Sequence, residues 1–347
     1  MTKPCPQPRR TARRPHGRPA RLSLALLGTV ALLNPASAGF QNTPSSVKAE
    51  ALGGAFMGIS GDPNCVFLNP AGLADLESAE LSLMYGKPLA GVQGLDLAQG
   101  YAALGLPLSE KASLGLGNTL FRAAGLLSEY QATAGLGAFL SPKVAAGIGA
   151  SYLYHRYEIG GDPAYSGQPA FSNGLSKGAV GLHLGVLALV SPRLQLGLSA
   201  RNLNTPDVGL KERDPVPREL RIGTLYRSRF ASLLLELEQR DDGLGSSASR
   251  KNAPKAGVEV PLKGAALRLG VNRNAVTAGV GLRLGAFALD YAFGLITRLE
   301  TSNYGNQSVA VSYRLGGPRS SRREGRAPDE AKAAGQAAWK GLNWHRW

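Results

Sequence analysis

The chain is poor in the residues that most often do chemistry or staple a small fold. Its 347 residues include two cysteines, four histidines and three tryptophans. Cys5 lies in a basic N-terminal stretch and Cys65 stands alone beyond it, so a processed chain can form no internal disulfide. Cys65 reads as a small buried apolar residue. Long apolar runs are also missing. LSLALLGTVALL (Leu22 to Leu33) is shorter than the ~20 residues a spanning helix needs. Between Ala79 and Leu315 no stretch carries the apolar period of an amphipathic helix.

Charge of one sign is scarce once the chain is divided. The formal net charge is +15, but seven of the basic residues fall in an acid-free leader. Residues 318–347 hold seven Lys or Arg against three acids, which leaves 25 basic and 21 acidic residues on 39–317. A nucleic-acid-binding fold would place its excess on a patch of the domain, so that class is set aside. The leader combines a basic start, a twelve-residue apolar run and Ala36-Ser37-Ala38, a small-x-small cleavage pattern. This predicts a signal peptide over 1–38 and a mature chain from Gly39, the alternative being an uncleaved anchor.

What the mature chain does have is alternation. Val180, Leu182, Leu184, Val186, Ala188 and Val190 share one parity, and Gly181, His183 and Gly185 the other. The same holds for Leu194–Ala200, Phe287–Leu295 and Val309–Leu315. A period of two sustained over two hundred residues is strand after strand. Six short turns recur, at 108–111, 140–143, 190–193, 229–232, 261–264 and 284–287. Seven more polar gaps lie near 87–93, 125–129, 159–176, 203–217, 241–252, 272–275 and 298–306. Thirteen connections make fourteen strands, and the even number puts both ends on the short-turn side.

A soluble sandwich also alternates, but here the apolar parity is nearly free of charge while the other carries Gly, Ala, Ser and scattered ions. Aromatics gather toward strand ends, with Phe139, Tyr226, Phe230, Phe287 and Tyr313 near the short turns and Phe121, Tyr130, Tyr152, Tyr154 and Tyr157 near the loops. These features predict an all-β, fourteen-stranded antiparallel transmembrane barrel over 79–317, apolar outside and polar inside, with short turns periplasmic. Inward Arg221, Glu236, Glu238, Glu259, Arg268, Arg283, Asp290 and Arg314 are expected to satisfy one another as a lumen ion network, a selectivity filter being the alternative.

Directly before the first strand stands LGGAFMGISGDPNCVFLNPAGLADL (Leu52 to Leu76). Gly61-Asp62-Pro63 reads as a turn, Cys65–Leu68 as a short extended piece, and Asn69-Pro70 as a cap and first residue of a helical turn through Leu73. The run Gly53-Gly54-Ala55-Phe56, Asp62, Val66-Phe67 and Asn69-Pro70-Ala71-Gly72-Leu73-Ala74 resembles the N-terminal signature of the superfamily that holds the fatty-acid transporter FadL and the shorter outer-membrane proteins PorV and PorQ. That resemblance implies that residues 39–78 form a hatch inside the periplasmic mouth, with Gly53, Gly54, Phe56, Asp62, Val66, Phe67, Leu68, Asn69, Pro70 and Ala71 near any ligand. Phe56, Met57, Ile59, Val66, Phe67 and Leu68 are expected to bury against the inner wall. Inward Gly147, Gly149, Gly181, Gly185, Gly197 and Gly223 are expected to leave room for them. The hatch is read either as a filler or as a moving gate.

Two functions follow from the resemblance. The FadL side implies passage of a small hydrophobic molecule across the outer membrane. The PorV side implies a non-enzymatic scaffold or shuttle in protein secretion, which the short barrel segment and brief loops suit. A structural barrel anchored by its tail is a third reading. The expected partners are outer-membrane lipid together with a hydrophobic small molecule or a secretion-system protein, with no nucleic acid. Enzyme signals are weak. Gly174-Leu175-Ser176-Lys177-Gly178 matches G-x-S-x-G but lies in a polar loop without the strand–turn–helix that chemistry needs. His155, His183 and His345 have no partner at metal-ligand spacing, so neither catalysis, metal nor cofactor is expected. The tail 318–347 departs from the family pattern. Its basic run PRSSRREGR, a helix start at Pro328-Asp329-Glu330, and Trp339, Trp344 and Trp347 suit inner-leaflet headgroups or a periplasmic partner, or else contact nothing.

Overall fold

In the computed structural model, the described residues are Phe40 and residues 46–159, 168–241, 250–297 and 304–316. The expected leader and tail lie outside them. Fourteen strands are β1 (Ala79–Lys87), β2 (Leu97–Pro107), β3 (Ala112–Ala123), β4 (Leu127–Ser141), β5 (Val144–Tyr157), β6 (Ser176–Ser191), β7 (Leu194–Arg201), β8 (Arg218–Arg227), β9 (Ser232–Asp241), β10 (Arg250–Leu262), β11 (Ala265–Asn272), β12 (Ala275–Leu284), β13 (Phe287–Ile296) and β14 (Asn306–Leu315). Each pairs antiparallel with its neighbours, and β1 pairs with β14 from Ala79↔Leu315 to Lys87↔Gln307, closing a barrel without edges.

The alternation has the sense the parity argument requires. Leu184, Leu235 and Leu269 are 49%, 61% and 63% exposed on the outside, while Glu236 and Arg268 on the inside are 5% and 6% exposed. A water-soluble barrel would invert those figures, so the outer wall is built for hydrocarbon. The aromatic belts are less complete than expected. Phe139 packs inward on Ala71 and Ala74, and Tyr157 stacks edge-on between His155 and Phe171.

One chemical device makes most of the short turns. Ser109 Oγ accepts from Lys111 N and Ala112 N, Ser141 Oγ from Lys143 N, Ser191 Oγ from Arg193 N and Leu194 N, and Ser228 Oγ from Phe230 N and Ala231 N. A hydroxyl that bonds backbone two or three residues on substitutes for a backbone turn. The remaining two turns use glycine with positive φ, Gly264 at 75° and Gly285 at 61°.

At the loop end, β6 outruns β7, which stops at Arg201 opposite Glu219. Leu203 N donates to Leu182 O, and the Asn204 amide accepts from Leu182 N and donates to Val180 O. Asn204 therefore stands in for the missing strand on a wall where an unpaired backbone group meets lipid. Beyond it the segment 205–217 turns inward, burying Val208 and Val216 against Phe40 and Leu153. Replacing Asn204 with Ala is expected to cost about 1–3 kcal/mol. Urea unfolding followed by the mobility of the folded band checks it, with Asn204→Gln losing less.

Candidate functional site

The chain before β1 occupies the inward face of the barrel. It holds α1 (Val47–Ala51), α2 (Cys65–Leu68) and a 3-10 helix (Pro70–Asp75). Ser46 caps α1 by accepting from Ala49 N, and Gly53 and Gly54, with φ of 70° and 89°, turn the chain out of it.

The next two helices repeat one motif. Asn69 Oδ1 accepts from Ala71 N with Pro70 as first helical residue, as the sequence predicts. Cys65–Leu68 is helical rather than extended, because Asp62-Pro63 does what Asn69-Pro70 does. Asp62 Oδ1 accepts from Asn64 N, and Cys65 N and Val66 N donate to the Asp62 and Pro63 carbonyls. An Asx residue followed by proline starts a helical turn in both places.

Phe56, Met57, Val66, Phe67 and Leu68 are buried, and Phe67 meets Tyr101 with ring centroids 5.7 Å apart. The wall is shaped to receive them. A Cβ at Gly147 would overlap Pro70 and Ala71, one at Gly185 Asn69, and one at Gly197 or Gly223 Met57. Gly149 and Gly181 serve other neighbours. Gly149 faces Ala134 and His183, and Gly181 makes room for Asn202. Gly137, Gly257 and Gly270 also admit the segment and were not among the expected glycines.

Irregular backbone enclosed by a barrel must find partners for its N–H and C=O groups. Here inward side chains provide them. Glu236 Oε2 accepts from Phe56 N at 2.8 Å and Met57 N at 3.0 Å. Thr277 Oγ1 accepts from Gly53 N and donates to Ala51 O, and Asn272 Nδ2 donates to Gly53 O. Ser199 Oγ donates to Leu68 O at 2.7 Å, and Asn69 Nδ2 reaches Val186 O on β6. Asp62 joins Lys48 at 3.0 Å. The expected ligand-proximal residues are thus the buried body and the fastenings of this segment.

The expected single ion network is two. Toward the loop end, Arg221 lies 2.9 Å from Glu219 and 3.0 Å from Glu238, Lys255 lies 2.6 Å from Glu238 and 3.2 Å from Glu236, and Arg201 and Arg240 flank Glu219. Toward the short turns, Arg268 holds Glu259 at 2.6 Å and also Asp290, while Arg314 lies 3.5 Å from Glu80. Arg283, with Lys48 and the Arg268 group, lines a polar recess of about 80 Å³ at that end. The split has a plain cause. The inner segment crosses the lumen between the two groups, with Glu236 and Lys255 touching it at Met57 and Gly54. Arg201, Glu219, Arg240 and Lys255 were missed, although each lies on the inward parity of its strand.

One buried pair looks catalytic. Ser151 Oγ and His183 Nε2 are 2.6 Å apart, with Gln131 and Thr133 beside them. However, Asn202 N donates to His183 Nδ1 at 3.2 Å. A backbone N–H can only donate, so Nδ1 is the acceptor and the ring proton sits on Nε2, which donates to Ser151. The imidazole is tied in the tautomer that cannot take the serine proton. Burial pushes the Cys65 thiol well above its ordinary value, and among the described residues no three metal-ligating side chains converge.

No family model and no curated protein matches the chain. Solved structures do match. The CymD monoaromatic hydrocarbon channel aligns at 13% identity over 79% of this chain and 98% of its own, with a TM-score of 0.61. The Ralstonia pickettii toluene transporter TbuX aligns at 14% identity over 78% and 98%, TM-score 0.55. A Pseudomonas aeruginosa FadL homologue aligns at 12% over 79% and 99%, TM-score 0.54. At these identities the likeness establishes architecture. The chain is a closed fourteen-stranded antiparallel barrel, and its fold is that of these three structures.

Two outcomes follow for the interior. Glu236→Leu leaves the Phe56 and Met57 amides buried without an acceptor and should cost about 3–5 kcal/mol in urea unfolding, whereas Glu236→Gln retains an acceptor and costs less. Glu50 in α1 accepts from Gln99 at 3.3 Å, and burial raises it from 4.5 to about 7. Its folded value lies above its unfolded one, so its contribution is fully present below about pH 4.5 and fades as pH rises through 7. Glu50→Gln should therefore stabilise the barrel at pH 8 and change nothing at pH 4. The full shift is worth ~3 kcal/mol, and solvent screening at the partly exposed Glu50 lowers the effect to about 2 kcal/mol. Thermal midpoints in detergent at both pH values check this.

Proposed function

We propose that the protein passes small hydrophobic molecules across an outer membrane, with residues 39–78 acting as the hatch and with the short turns and both mature ends on the periplasmic side. The observation that carries this reading is the combination of a FadL-type barrel with an interior segment fastened by side-chain hydrogen bonds rather than by strand pairing. Bonds of that kind can be exchanged for water one at a time, whereas a fifteenth strand would release only as a unit. The CymD and TbuX structures, which share this fold, are a hydrocarbon channel and a toluene transporter by their own descriptions. The apolar body of the hatch, Val66, Phe67 and Leu68, supplies a surface that such a molecule would wet on its way. No step in this reading makes or breaks a covalent bond.

The test locks the hatch. A Cβ at Gly105 on β2 would stand 3.4 Å from that of Pro63, close to the separation a disulfide needs. Cells whose outer membrane holds the protein should take up labelled toluene faster than cells without it. The Pro63→Cys, Gly105→Cys pair should lose that advantage when oxidised and regain it on reduction. Equal uptake with and without the protein would overturn the reading. A stoichiometric secretion protein co-purifying with a barrel that gives no uptake would make it a scaffold instead.

A further inference from the structure

The two rims of the barrel treat their charges differently. At the loop end cations and acids are interspersed, and although Arg156, Lys211, Arg213, Lys251 and Arg273 enter no salt bridge among the described residues, other cations there are paired. Lys87 pairs with Asp96, Arg122 with Glu158, Lys177 with Asp207, and Arg218 and Arg250 with Asp241. At the short-turn end, five of the six turns present an exposed cation: Lys111, Lys143, Arg193, Arg229 and Lys263. No salt bridge among the described residues engages any of the five, and the only acid in those turns is Glu110. The positions are set by the fold. In three turns the serine that makes the turn puts the basic residue two places on, where its backbone N–H donates back to that serine.

Each of these turns also carries an exposed apolar side chain within three residues of its cation. Leu108, Leu140, Val190, Phe230 and Leu262 are 60%, 71%, 52%, 68% and 46% exposed, and the Arg229 guanidinium stands 4.5 Å over the Phe230 ring. Water gives no reason to repeat that arrangement around a rim. An interface does, since the apolar member dips into acyl chains while the stem of Lys or Arg lies along it and carries the charge to headgroup level. A cluster of four to eight such cations at a membrane boundary attracts anionic lipid.

We propose that the short-turn rim is a headgroup-binding ring for anionic phospholipid, the phosphates sitting against Lys111, Lys143, Arg193, Arg229 and Lys263 and the acyl chains against their apolar neighbours. The ring selects lipid charge in the leaflet it faces, whatever the barrel carries. It therefore stands or falls independently of the hatch and of any transported molecule.

The test uses the folded full-length protein in nanodiscs of phosphatidylcholine and phosphatidylglycerol at three to one, released into a mass spectrometer under native conditions. Among lipids that remain bound to the wild type, the ratio of phosphatidylglycerol to phosphatidylcholine should be about fivefold above the input ratio, the factor that roughly 1 kcal/mol per cation gives. Raising the salt to about 0.5 M before release should reduce the enrichment, because exposed charges are screened. The fivefold variant Lys111→Gln, Lys143→Gln, Arg193→Gln, Arg229→Gln, Lys263→Gln should return to the input ratio. Arg156→Gln, Lys211→Gln, Arg213→Gln at the loop end should match the wild type. A heat-shifted gel band shows that each variant is folded, and the salt series on the wild type decides the matter if the fivefold variant is not. Retention at the input ratio by the wild type, salt-independent enrichment, or enrichment lost only in the loop-end variant would overturn the proposal.

Discussion

The structure depends on one constraint: some thirty residues of irregular backbone lie inside a closed sheet, and their N–H and C=O groups must be met there. The wall strands have few backbone hydrogen bonds to spare, since each ladder is closed by its neighbours, and Val186 O on β6 is the wall carbonyl that accepts from the segment, through Asn69 Nδ2. The interior segment is therefore satisfied by inward side chains and by its own caps. Glu236, Thr277, Asn272, Ser199 and Lys255 reach in from the wall, and Asp62 and Asn69 turn back on the segment itself. The glycines of the inner wall answer the same constraint in steric form, because polar contacts of this length need backbone to approach backbone.

The buried charges make sense in that setting. Glu236 takes part in two systems at once, the Arg221–Lys255 cluster and the amides of Phe56 and Met57. Burying such a carboxylate is expensive unless all its lone pairs are used, and here both oxygens are engaged. The cluster and the fastening of the segment are thus one object. At the other end Arg268, Glu259 and Asp290 form a smaller group beside the Lys48–Asp62 pair, which belongs to the segment. The interior is organised from the segment outward.

Much of this was legible in the sequence. The fourteen strands and their facing followed from a strict period of two, and the turn positions from the short breaks in that alternation. The burial of Phe56, Met57, Val66, Phe67 and Leu68 followed from a motif placed before the first strand. The helical turn at Cys65–Leu68 was not read, although Asp62-Pro63 carries the same signal as Asn69-Pro70. Four apolar residues in a row simply look extended when taken alone. The division of the ion network could not be read at all. Parity says that Arg221 and Arg268 both face inward, but only the path of the interior segment says that they face different compartments. The choice of Thr277 for Gly53, or of Ser199 for Leu68, is likewise a matter of register around a closed ring. Neither composition nor spacing encodes it locally.

The central claim is that the interior segment is fastened backbone group by backbone group to the wall. Amide hydrogen exchange of the folded barrel in detergent tests it most directly, read at Gly53, Phe56 and Met57. The account predicts protection at these amides comparable to that of the strands, with the Phe56 and Met57 amides alone released when Glu236 is changed to Leu. Exchange as fast as that of the exposed loops in the wild type would contradict it.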